Sequence, residues 1–129
     1  GGTFLQGLRD DRDKSLDGFV RAIFKHPPAE SEVIGLVKGA KRISVKNSIA
    51  LLSYPFPRTH WKQIVHAYTK PLLYVVTPQF AEQATNLQKN RPGTEVEVFR
   101  DAGHALFVDE PERFNARITR FAQSLSSRQ

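Results

Sequence analysis

Of the four histidines in this 129-residue chain, one stands in a setting built for chemistry. His104 lies on the turn Asp101-Ala102-Gly103-His104, just past an apolar run that ends at Phe99-Arg100. Ala105-Leu106-Phe107-Val108 then forms a hydrophobic link into Asp109-Glu110-Pro111. A glycine turn at the end of a strand leaves its side chains free to meet a ligand. Histidine ionises near neutrality and is the side chain suited to taking and returning a proton there. His26, His60 and His66 lack such flanks. His60 and His66 are six positions apart with no third ligand at metal-site spacing. All three read as structural or surface side chains, and neither a metal nor a cofactor is expected. The absence of cysteine excludes disulfides and thiolate sites.

The elements that must carry His104 are legible on either side of it. Leu72-Leu73-Tyr74-Val75-Val76 is a continuous apolar, aromatic and β-branched run, which predicts a strand buried on both faces. Pro78 stands near the start of a helix with Phe80, Ala84 and Leu87 on one face, and Asn90-Arg91-Pro92-Gly93 ends it. Glu95-Val96-Glu97-Val98-Phe99 alternates in character and predicts a second strand near a sheet edge. Two strands joined by a helical crossover make a parallel, right-handed βαβ unit. Pro111 opens a last helix with Phe114, Ile118, Phe121 and Leu125 facing inward. A two-stranded parallel sheet cannot bury itself, so this βαβα tail is expected to be the edge of a larger sheet. Another polypeptide or self-association must then complete it.

Residues 1–70 read differently. A polar, charge-mixed start gives way to a helix with Leu16, Phe19, Val20, Ile23 and Phe24 at helical spacing, capped by Asp13 or Ser15 and stopped by Pro27-Pro28. Ser31 is the expected N-cap of a second helix carrying Val33, Ile34 and Val37, weakened by Gly35 and Gly39. A third helix candidate, with a strand as the alternative, runs from about Asn47 to Tyr54. Tyr54-Pro55-Phe56-Pro57-Arg58 breaks regular structure. Trp61, Ile64, Val65 and Tyr68 then restore a short helical period. Tyr54, Phe56, Trp61 and Phe107 are candidate pocket-lining aromatics, although core packing is the commoner fate of such residues.

Taken together, KPLLYVV (70–76), EQA (82–84), EVEVF (95–99) and DAGHALFVDEPERFN (101–115) resemble the C-terminal half of an α/β-hydrolase. The Gly-His turn with its hydrophobic link and D/E-P-E-x-F resembles that family's catalytic-histidine segment. More loosely, residues 12–68 resemble its cap and the run back from it. The resemblance implies an α/β fold class in which a helical cap-like segment (1–69) precedes a β-α-β-α edge of a parallel sheet (70–129). It implies that His104 is the general base of a Ser-His-acid triad acting on an ester, lactone or similar small acyl substrate. The family's nucleophile sits on a G-x-S-x-G elbow, and none of Ser15, Ser31, Ser44, Ser48, Ser53, Ser124, Ser126 and Ser127 has those flanking glycines. The turn that bears the acid in many relatives corresponds to Thr77-Pro78-Gln79-Phe80, which has no carboxylate. Glu82, Asp101 and Asp109 are the nearest alternatives, each also explained by helix-start or turn roles, and no acid is assigned. The nucleophile is expected from a separate N-terminal half. The competing expectation is a non-catalytic module that keeps the fold for binding or oligomerisation.

Bulk properties set the outer bounds. The 40% apolar and 25% charged content is that of an ordinary globular domain. The net charge of +6 comes from residues 1–70, which hold 12 Lys+Arg against 6 Asp+Glu; residues 71–129 hold 7 against 7. The cluster Lys38, Lys41, Arg42 and Lys46 has no accompanying nucleic-acid motif, so a solvated face is expected and nucleic acid is not. No apolar run is long enough to span a bilayer and no signal peptide is evident, which fits a cytoplasmic setting without a membrane partner. The chain has no methionine and begins Gly1-Gly2, as expected of a fragment or cleaved product.

Overall fold

A computed structural model describes residues 2–53 and 55–127. Five helices come first: α1 (Gly2–Asp10), α2 (Arg12–Ala22), α3 (Glu30–Ala40), α4 (Val45–Leu52) and α5 (Arg58–Ala67). Strand β1 (Leu73–Val76) follows, then a single 3-10 turn (Pro78–Phe80), α6 (Ala81–Asn90), strand β2 (Glu95–Val98), α7 (Leu106–Asp109) and α8 (Pro111–Ser126).

The helical segment departs from expectation mainly at its boundaries. The polar start folds as α1, because Phe4, Leu5 and Leu8 share one face; Phe4 stacks on Phe19 of α2 at 5.1 Å and Leu8 is buried. Asp11, not Asp13 or Ser15, caps α2 by accepting the Lys14 backbone N–H at 3.1 Å. Helix α2 ends at Ala22, several residues before Pro27. Ser31 lies inside α3 and is not its cap; Ala29 holds that position without a side-chain hydrogen bond. Ser44 caps α4 by accepting from the Asn47 N–H at 3.1 Å, which starts that helix two residues early and settles helix over strand. Leu16 and Val20 of α2 and Val33 of α3 are buried, and α2 packs against both α1 and α3. Arg12 donates to the carbonyls of Ala40, Lys41 and Ile43 and so caps the end of α3 from outside. Of the basic cluster, Lys41 pairs with Asp13 at 2.9 Å, and Lys38, Arg42 and Lys46 are exposed.

The tail forms the expected βαβα unit. Strands β1 and β2 are parallel, with Leu73 opposite Glu95 and Val76 opposite Val98. Gly93, at φ +88°, makes the left-handed turn that brings the chain out of α6 and into β2. Successive strand residues face opposite sides. Tyr74 faces α6, where Gln83 donates to its hydroxyl at 2.9 Å. Val75 faces the other way, onto Phe99, Ala102, Leu106 and Phe114. The sheet is therefore covered by α6 on one side and by α7–α8 on the other.

Two expectations about burial fail here, each for its own reason. Leu73, Tyr74 and Val75 are only half-buried, because among the described residues β1 has a neighbour along just one edge. Ile118 of α8 is 39% exposed, whereas the charged Arg117 beside it is 7% exposed. Phe114, Phe121 and Leu125 are half-buried. Arg117 lies over the sheet and donates to Glu97 at 3.2 Å, with Glu95 at 3.4 Å. Arg113 pairs with the same Glu97 at 2.7 Å and lies 4.3 Å from the Phe99 ring centre. These arginines hold the Glu97 carboxyl below its ordinary pKa, Arg113 contributing most, against the opposing effect of burial. Paired arginines thus cover the outer strand where an apolar face was expected.

Candidate active site

The His104 turn is built from the end of β2 outward. Phe99 continues the ladder by donating its N–H to the Val76 carbonyl at 2.8 Å, and its ring is fully buried. Ala102, Ala105 and Leu106 are buried on either side of the turn. With those neighbours fixed, Gly103 and His104 lie at the C-terminal ends of both strands, where open α/β sheets place their ligands. The His104 side chain is exposed there. It borders a cavity of about 340 Å³ shared with Lys25, Thr77, Gln79 and Arg100.

Both aspartates flanking His104 reach across to the segment after α2. Asp109 accepts backbone N–H groups from Lys25 at 2.9 Å, His26 at 2.9 Å and Gly103 at 2.7 Å. Asp101 instead takes side chains, Lys25 at 2.8 Å and the His26 ring at 3.1 Å. The Ala105 N–H donates to the Ile23 carbonyl at 2.7 Å. A Cβ on Gly103 would stand 2.7 Å from the Ile23 carbonyl oxygen and 2.8 Å from the Lys25 nitrogen, so the two backbones meet where only glycine fits. Desolvation pushes the Asp109 pKa up, but the backbone donors outweigh it and leave the carboxyl below its ordinary value. Lys25 and then His26 lower that of Asp101.

None of the alternative acids meets the imidazole. The histidine–carboxylate pair found among the described residues is His26 with Asp101, not His104 with any carboxylate. Glu82 opens α6 and borders a different groove. The residue that sequence reasoning passed over is Thr77. It is 7% exposed, its hydroxyl oxygen is buried without a hydrogen-bond partner, and it borders the His104 cavity. The available signals were its place directly after the apolar run Leu72–Val76 and on the turn where many relatives carry the acid. His60 stacks on Phe56 at 4.6 Å, and His66 borders the second groove. Among the described residues there is no group of three or more side chains able to hold a metal ion.

The candidate aromatics are not core residues. Phe56, Trp61 and Phe107 are all exposed. Phe107 packs 6.0 Å from Phe114, and Trp61 borders an open groove of about 850 Å³ between α5, α6 and the Tyr74 face of β1. Tyr54 lies outside the described residues. No described helix is long and apolar enough to cross a membrane.

No protein-family model and no curated protein matches the chain. Solved structures do. A structure described as an aryl esterase from Burkholderia cenocepacia superposes with a TM-score of 0.80 at 22% identity, covering 96% of this chain and 48% of its own. The esterase EaEST from Exiguobacterium antarcticum does so with a TM-score of 0.74 at 21% identity, covering 95% and 47%. The chain therefore has the fold of part of an esterase and spans about half the length of these structures.

Proposed function

We propose that this chain is the cap plus C-terminal half of a serine-type α/β-hydrolase acting on an ester, lactone or similar small acyl substrate. In this reading His104 is the general base. It takes the proton of a serine hydroxyl as that oxygen attacks the acyl carbon, then returns it to the departing oxygen. The serine, the oxyanion donors and the remaining strands come from a separate N-terminal half, which adds to the open edge of β1. The observation that carries the reading is the placement of His104 on a glycine turn at the strand ends, beside a cavity, in a fold that half of an esterase reproduces. Nucleic acid, membrane, metal and cofactor have no part in it.

The test is made on the chain assembled with a polypeptide bearing the nucleophile elbow. A fluorophosphonate should label a serine of that companion, and the assembly should hydrolyse a chromogenic ester. His104→Ala should lower the rate by about 10³-fold or more. An unchanged rate would remove His104 from the chemistry.

A second reading draws on the turn Thr77–Phe80, which lacks a carboxylate, and on an imidazole without an acid partner among the described residues. It makes the chain a hydrolase-like binding or oligomerisation module. A stable lone homodimer without esterase activity supports it over the enzyme, whereas a companion polypeptide carrying G-x-S-x-G does the reverse.

A further inference from the structure

We propose that Asp109 is a positioning residue for His104, fixing the histidine turn to the segment after α2 so that the two behave as one rigid unit. The proposal rests on the reading of His104 as the general base. A carboxylate has two oxygens and about four lone-pair sites. Here the oxygen Oδ2 accepts the N–H groups of Gly103 and Lys25, and Oδ1 accepts that of His26. These donors come from two segments about 80 residues apart in sequence. Both oxygens are thereby turned to backbone. Asp109 is thus not the missing acid of a triad; it acts through the main chain on the residue preceding His104.

Three further contacts restrict the same place. The Ala105 N–H bonds the Ile23 carbonyl on the far side of His104. Gly103 sits against the backbone of residues 23–25 with no space for a side chain. Asp101 holds the Lys25 and His26 side chains from the strand end. The backbone on either side of His104 is therefore pinned, and its imidazole is left to move about its own side-chain bonds alone. A base must be held near hydrogen-bond geometry to be effective. Residues 23–26 consequently belong with the histidine turn rather than with a mobile cap.

The experiment uses the 129-residue chain and needs neither an ester nor a nucleophile, so its failure is distinguishable from failure of the hydrolase reading. In ¹⁵N relaxation the backbone of Gly103 and His104 should show order parameters typical of rigid structure, about 0.85; values below about 0.6 overturn the proposal. Amide exchange at Lys25, His26 and Gly103 should accelerate at least tenfold in Asp109→Ala. Asp109→Asn keeps one acceptor oxygen and should fall between Asp109→Ala and the parent. Asp101→Asn, which weakens side-chain contacts and touches none of these N–H groups, should accelerate those amides less than Asp109→Ala does. In both Asp109 variants the His104 ring signals should shift and broaden. If the amides respond while the His104 signals stay as in the parent, Asp109 only ties the two segments together and the positioning role is wrong. If either substitution unfolds the chain, the relaxation of the parent protein and the other variant decide.

Discussion

Gly103 donates its backbone N–H to the Asp109 carboxylate at 2.7 Å, and the same glycine lies so near the Ile23 carbonyl that a Cβ would come within 2.7 Å of it. Attraction and lack of space thus act on one residue from two sides. The atoms in the way are backbone, which cannot rotate aside as a side chain would. Gly103→Ala should therefore destabilise the chain by about 1–3 kcal/mol, as overpacking at fixed backbone does. Urea denaturation checks this, and a midpoint equal to the parent's would mean that the two backbones separate freely.

His104 itself should contribute almost nothing to stability. Its ring is exposed and has no carboxylate partner among the described residues. His104→Ala should change unfolding free energy by no more than about 0.5 kcal/mol. A loss of activity in that variant, with an unchanged melting curve, would separate chemistry from folding.

Acid should release the histidine turn through Asp109. Its folded pKa lies below the ordinary value of 3.8, because the backbone donors outweigh desolvation. A depressed acid pKa contributes stability that is complete above the unfolded value and is lost as pH falls through the folded one. Stability measured from pH 6 to pH 2.5 should hold down to about pH 4 and drop below it. The drop should be shallower in Asp109→Asn; identical slopes would place the acid sensitivity elsewhere. Asp101 and Glu97, whose pKa values are also lowered, add to the residual slope of that variant.

Thr77 should respond in the opposite sense from most buried residues. Its hydroxyl oxygen is buried and unpartnered, so the isolated chain carries the desolvation cost of a hydroxyl with no compensating bond. Thr77→Val keeps the shape and removes that cost. Thermal unfolding should show a change between zero and about 1 kcal/mol of stabilisation. A marked destabilisation would reveal a hydrogen bond that the hydroxyl makes in solution.

Arg117 offers a test of the outer face of the sheet. It is 7% exposed and is shared between Glu97 and Glu95, which are 24% and 41% exposed. Arg117→Ala should cost roughly 1–3 kcal/mol, less than a fully buried pair, because water and Arg113 still reach the carboxylates. Arg117→Met, which restores the volume, should recover part of the loss if packing contributes. Equal losses in the two variants would assign the effect to charge alone.

Much of the scaffold was legible in the sequence. The continuous run Leu72–Val76, the alternating Glu95–Phe99 and the glycine and proline punctuation around them are local signals with local causes, and they located both strands and the parallel βαβα order. Of the residues at helical spacing, Leu16, Val20 and Val33 are buried, whereas Phe19 and Ile34 of the same sets are exposed. Cap positions slipped by a few residues, as with Asp11 and Ser44, since several polar side chains compete near each helix start. The segment around Arg12 was harder to read because the carbonyls it caps lie at and just beyond the end of a helix about 30 residues away.

What the sequence determined by itself was a single histidine on a glycine turn at the end of a strand, with neither a glycine-flanked serine nor a carboxylate on the turn after β1. Only the tertiary structure decided what Asp101, Asp109 and Gly103 do. Their partners, Ile23, Lys25 and His26, lie about 80 residues earlier in the chain, and periodicity carries no information about contacts made across that distance. The same limit hid the burial of Arg117, whose place on the helix matters only because Glu95 and Glu97 lie beneath it. Local propensity wrote the turn that carries His104; long-range hydrogen bonding fixed where that turn sits.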